Sequence, residues 1–131
     1  MKGVTIFDLD SRTGALSFDL RDILELLGAD VVRSMWMLKE VECLGAEAAD
    51  ALHWASDNKK VLDGFNFLTL AQNVNQVIDG EFSGRLPNDD RDWVVIRAVD
   101  SSAYDVLTDR ESILMALKEH FDCVQDIPKV D

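Results

Sequence analysis

The sequence predicts an α+β domain, with a mainly antiparallel sheet and about four helices packed on one face, formed by residues 1–131 as a single domain. Three observations carry this expectation. A chain of 131 residues with 47% hydrophobic content is one domain's worth, long enough to bury roughly two thirds of its unfolded surface. The run Trp93-Val94-Val95-Ile96-Arg97-Ala98-Val99 is nearly all apolar and β-branched, the signature of a central strand. Finally, the order of apparent elements is hairpin, helix, strand, two helices, three strands and helix, which is not an alternating βαβ series.

Taken in order, Val4–Leu9 alternates in part, and the turn-rich Asp10-Ser11-Arg12-Thr13-Gly14 reverses the chain into Ala15–Phe18, predicting a first hairpin. Leu20, Ile23, Leu24 and Leu27 recur at helical spacing, with Asp19 as N-cap and Gly28 as left-handed stop, which predicts a helix over 19–27. From Ser34 to Leu44 no helical period exists. Met35, Met37, Val41 and Cys43 share one strand parity, and Trp36 and Leu38 the other, so a strand covered on both faces at one end is expected. Residues 46–56 read as a helix burying Ala48, Leu52 and Ala55, and Asn58-Lys59-Lys60 as a polar turn.

Phe67, Leu70, Ala71, Val74, Val77 and Ile78 form the cleanest helical stripe, with Asn66 as cap and Gly80 as stop. A short strand over 81–86 follows, then the central strand, a turn at Asp100-Ser101-Ser102, and a returning strand over 103–107. Thr108-Asp109-Arg110-Glu111 has the form of a capping box opening a last helix through Ile113, Leu114, Leu117 and Phe121.

Charge is the feature that bears on partners. Asp and Glu number 25 against 13 Lys and Arg, a formal charge of -12, and the excess is spread over both halves of the chain. Nucleic acid and anionic membrane surfaces repel such a protein, because binding them depends on cationic side chains. Neither is an expected partner. The start Met1-Lys2-Gly3-Val4 has no cationic segment followed by a long apolar one, and no run approaches the roughly 20 apolar residues that span a bilayer, so a cytoplasmic protein is expected. Cys43 and Cys123 fit neither a disulfide framework nor a zinc site, and two buried thiols are expected.

Several constellations contain residue types that can carry chemistry. Ile6-Phe7-Asp8-Leu9-Asp10-Ser11 resembles the first motif of the haloacid dehalogenase-like phosphatases. That resemblance implies Asp8 as phosphoryl acceptor and Asp10 as general acid, beside magnesium, at the end of a strand in a parallel sheet. It covers six residues, and Arg12 and Thr13 depart from the residues that normally follow. As a calcium loop the same run fails, because Thr13 stands where Gly is needed. Asp79, Glu81, Asp100 and Asp105 are a second carboxylate group, with no strand Lys between Lys60 and Lys118 to accompany it. His53 and His120 lie in no recognisable arrangement with a nucleophile, and His120 suits the negative end of the last helix. No catalytic residue, metal ligand or cofactor is therefore assigned.

A docking patch is the stronger reading. Between Glu40 and Asn58 stand five acids, Glu40, Glu42, Glu47, Asp50 and Asp57, with no Lys or Arg, and Trp54 lies among them. An exposed indole ringed by carboxylates suits a basic protein partner, since charge raises the encounter rate and the aromatic supplies binding energy. The expected function is a non-enzymatic acidic binding protein, such as an immunity or antitoxin-type inhibitor of a basic toxin or nuclease. Two alternatives stand beside it. One is a metal-dependent phosphohydrolase using Asp8 and Asp10. The other is a self-associating structural component, a homodimer paired through an edge strand at 103–107. Beyond these motifs, Gln76–Phe82 and Val95–Ser102 are similar to segments of small bacterial proteins without assigned activity, a likeness to the latter half of the chain that implies none here.

Overall fold

The computed structural model describes residues 1–128. Its elements run β1 (Lys2–Ile6), α1 (Leu20–Leu27), α2 (Asp30–Arg33), β2 (Met35–Leu44), α3 (Ala46–Asp57), β3 (Leu62–Asp63), α4 (Gly64–Asn73), β4 (Gln76–Arg85), β5 (Val94–Val99), β6 (Ala103–Thr108), α5 (Glu111–His120) and β7 (Val124–Ile127). All strands join one sheet in the order β3-β2-β4-β5-β6-β1-β7, and every neighbouring pair is antiparallel. The helices cover one face of it. This is the α+β architecture the sequence predicts.

Core residues come from the helix-facing parity of the strands: Val4, Ile6, Trp36, Leu38, Phe82, Val94, Ile96, Tyr104 and Val106 are all buried. Trp36 stacks on Phe67 at 4.6 Å between ring centroids, and its indole N–H donates to the Val31 carbonyl at 2.9 Å. Trp93 donates to Ser34 Oγ at 2.7 Å, and the Arg110 guanidinium lies 4.3 Å above its ring, a cation–π contact.

Strand β2 corrects the expected parity. Lys39 pairs with Glu81 but Glu42 pairs with Asp79, so β2 carries one extra residue there, and Glu40 adopts φ 51. Such a bulge shifts side-chain alternation by one. As a result Trp36, Leu38, Val41 and Cys43 all face the helices and are buried. The strand is covered on one face only.

The expected stripe over 67–78 is also divided. Helix α4 runs from Gly64 to Asn73, capped by Asp63, whose carboxylate accepts the Asn66 N–H at 2.9 Å. Val74 is extended at the C-cap, and Val77 and Ile78 belong to β4. Pairing decides this: Asn75 N donates to the Leu44 carbonyl at 2.9 Å and β4 then zips along β2. Gly80 lies within the strand, with φ 150, and stops no helix.

Smaller differences occur at the ends. The first hairpin reduces to one bridge, Leu9 to Leu16, because β1 pairs with β6 and β7. Thr108 does not cap α5. Its hydroxyl donates to the Trp93 carbonyl at 2.7 Å and accepts from Arg110 N at 3.2 Å. Strand β6 lies inside the sheet between β5 and β1, so the expected edge at 103–107 is absent and the dimer contact inferred from it has no basis. Helix α2 and strands β3 and β7 are additions the residue pattern did not announce.

The face away from the helices is open, and the register lines its side chains into rows. Met37, Ser83, Val95, Leu107, Gly3 and Ile127 make one continuous row across six strands, and Lys39, Glu81, Arg97, Asp105, Thr5 and Gln125 make the next.

Candidate functional site

Helix α3 packs on β2 through Ala48, Ala49, Leu52 and Ala55, and Ser56 Oγ accepts the Val41 N–H at 3.1 Å. At about 100° per residue, Glu47, Asp50, Trp54 and Asp57 then fall within one narrow outward stripe. All four are exposed, and Trp54 keeps 56% of its surface in solvent. Glu40, at the bulge, is exposed and shares a groove with Asp57. Five of the six expected partner-binding residues are therefore on or beside one surface.

Glu42 is the exception. Its parity is opposite to Val41 and Cys43, and it is paired in register with Asp79 on the open sheet face. Sequence proximity suggested one patch, and the sheet divides it into two faces.

Among the described residues, Glu40, Glu47, Asp50 and Asp57 take part in no ion pair, whereas Asp30, Glu81, Asp92 and Asp109 do. Local electrostatics favour Glu47, in the first turn of α3, but not the rest of the stripe. Glu47 and Asp50 are like charges three residues apart, and Asp57 sits at the negative end of a helix with no base in its last turn. Lys59 lines the groove beside Glu40 and Asp57, giving that end mixed charge and leaving the Glu47–Trp54 end acidic.

Beneath the stripe lies a pair of groups that resembles a nucleophile and base. Cys43 Sγ is 3.6 Å from His53 Nε2. However, that nitrogen accepts the backbone N–H of Cys43 at 3.1 Å, so its lone pair is occupied, and Sγ is within 3.7 Å of the Ala49 carbonyl as a donor. Burial first, then the negative charges of Glu42, Asp19 and Asp50, push the Cys43 thiol up to about 11. A thiol so shifted is a poor nucleophile at neutral pH, and the arrangement is a packing one. Cys123 corrects another expectation, because it is exposed.

Asp8 and Asp10 do not converge. Both oxygens of Asp8 accept backbone N–H groups, from Asp122 at 2.8 Å and Cys123 at 2.6 Å, which ties down the approach to β7. Asp10 accepts the Arg12 N–H at 2.8 Å in a local turn. Strand β1 has antiparallel neighbours on both sides, so the parallel setting that the phosphatase resemblance implies is not present. Asp79, Glu81 and Asp105 serve the sheet. Asp79 accepts Asp100 N at 2.7 Å, Glu81 holds Arg97 at 2.8 Å, and Asp105 accepts the Thr5 hydroxyl at 2.6 Å. No group of three or more His, Cys, Asp or Glu able to hold a metal ion occurs among the described residues.

The pattern missed one polar centre. Asp19 caps α1 by accepting Leu20 N at 2.8 Å, and also accepts Val77 N at 3.2 Å and the Tyr104 hydroxyl. One carboxylate thereby joins α1, β4 and β6. Only its capping role was visible, from its place before Leu20.

Comparison with protein-family models, curated proteins and solved structures found no match. No helix among the described residues is long and apolar enough to cross a membrane.

Proposed function

We propose that this chain is a non-enzymatic binding protein whose α3 stripe, Glu47, Asp50, Trp54 and Asp57 with Glu40 beside it, receives a basic protein, as an immunity or antitoxin-type inhibitor would. The observation that carries the reading is Trp54, more than half exposed on a line of carboxylates, Glu47, Asp50 and Asp57, that form no ion pair among the described residues. An indole left in water forgoes apolar burial that a partner can supply. Carboxylates around it raise the encounter rate with a cationic surface and leave most of the binding energy to the central aromatic. Helix α3 packs on β2 through Ala48, Ala49, Leu52 and Ala55, so the backbone of the stripe is already formed and only its side chains are ordered on binding.

Affinity purification followed by kinetics on the recovered protein tests this. A basic partner is expected, with an association rate that falls at least about tenfold from low to high salt and an affinity that weakens about 30-fold in Trp54→Ala. Reversal of Asp50 and Asp57 to Lys should slow association. A partner whose binding ignores salt and all three residues would remove the proposal.

A further inference from the structure

We propose that the open face of the sheet is a self-complementary surface that pairs with the same face of a second copy of this chain. This is distinct from the proposed function, whose central Trp54 lies on α3 on the other side of the sheet, although the groove of Glu40 and Asp57 reaches Met37, Lys39 and Glu81 at one end of this face.

The argument starts from the row Lys39, Glu81, Arg97, Asp105 on β2, β4, β5 and β6. Cross-strand register makes these residues neighbours in that order, so the four charges alternate in sign from positive at Lys39 to negative at Asp105. Within the protomer Glu81 already holds Arg97 at 2.8 Å and Lys39 at 3.7 Å. Now place a two-fold axis parallel to the strands, between β4 and β5 and above the face. The operation reverses the row, so Lys39 of one copy faces Asp105 of the other and Glu81 faces Arg97. Every facing pair is of opposite sign. An alternating row of even length has this property, whereas a row with a same-sign centre would repel its copy.

Adjoining it is the half-buried row Met37, Ser83, Val95, Leu107, which the same axis lays on its own copy: Met37 meets Leu107 and Ser83 meets Val95. Antiparallel sheets with one solvated face and one packed face normally carry polar residues outward, yet this row is mostly apolar. The face is also only mildly acidic. Lys39, Arg85 and Arg97 stand against Glu42, Asp79, Glu81, Asp92 and Asp105, in a molecule with a formal charge of -12. The acidic surplus that would drive copies apart is concentrated elsewhere.

Geometry permits the contact. Aligned sheets pack about 10 Å apart at about 30°, and that rotation displaces the pairs nearest the axis least, namely Glu81 with Arg97. With the axis between β4 and β5, six of the seven strands overlap and β7 overhangs. Strands about 4.8 Å apart then give an overlap of about 500 Å² a side, near the lower bound of specific interfaces. A weak, reversible dimer follows.

Sedimentation equilibrium across a concentration series tests it. The wild-type chain is expected to show a dimer at about 100 μM. Val95→Lys, which puts an unpartnered charge in the apolar row, should leave only monomer. Arg97→Glu makes the row's centre one sign and should weaken the dimer at least about tenfold. Combining Glu81→Arg with Arg97→Glu should restore it, since each reversed charge again faces its opposite across the axis. Circular dichroism checks that each variant is folded, and if Val95→Lys is not, the charge-swap series decides. A monomer at about 1 mM, or a dimer that ignores these variants and is lost in Trp54→Ala, would overturn the proposal.

Discussion

Tyr104 and Cys43 carry the clearest residue-level consequences. Burial first, then the charge and hydrogen bond of Asp19, push the Tyr104 hydroxyl above its ordinary 10.0, and Cys43 is pushed from 9.0 to about 11. Both are raised, so the folded state prefers the neutral forms. That stability is fully present below the ordinary values and is lost as pH rises through the folded ones. Thermal melts should therefore fall with increasing pH from about 9 upward for Cys43, with Tyr104 joining at higher pH. Tyr104→Phe should cost about 1 kcal/mol near neutral pH and flatten the upper part of the alkaline fall. Equal slopes in the two proteins would show that Tyr104 is not a source. Asp19 itself illustrates what a residue pattern reveals. Its place before Leu20 marks a cap, but bonds to Val77 and Tyr104 span 58 and 85 residues of sequence, and no local rule can reach that far.

At the scale of elements, β7 depends on Asp8. Among the described residues the strand has four residues and pairs with β1 alone, and the two N–H groups preceding it, Asp122 and Cys123, are both held by that carboxylate. Asp8→Ala should leave the core intact and raise amide exchange at Val124–Ile127 at least about tenfold, measured by hydrogen exchange. Unchanged protection there would mean that Lys118 with Asp126 and the ladder suffice. Helices α1, α3 and α5 were legible from spacing because each buries one face. The boundary between α4 and β4 is not legible in that way, since Val74, Val77 and Ile78 fit a helical period and a strand equally well once β2 offers a ladder. In β2, the extra residue near Glu40 leaves no mark in composition. It is recognisable only from the partner strand, where Glu81 and Asp79 are two apart while Lys39 and Glu42 are three apart.

For the whole molecule, the -12 charge is a self-repulsion that the compact state must bear. Added NaCl screens it over about 10 Å at 0.1 M, so the melting temperature should rise with salt between about 0.01 and 0.5 M, monitored by calorimetry. A falling temperature would mean that the ion pairs on the open face and at the strand ends contribute more than the repulsion removes. Of the acidic patch, the charges and the exposure of Trp54 were legible from composition and from an Ala-rich helix, but the separation of Glu42 from Glu47 was not.

Sequence alone determined the α+β class, the helices read at 19–27 and 46–56, the central strand and the surplus of negative charge, because these follow from local periodicity and counting. Tertiary structure decided which face each carboxylate occupies, where α4 yields to β4, and which strands become edges. Those outcomes depend on hydrogen-bonded pairing between distant segments, and a single bulge or ladder partner exchanges one face of a strand for the other.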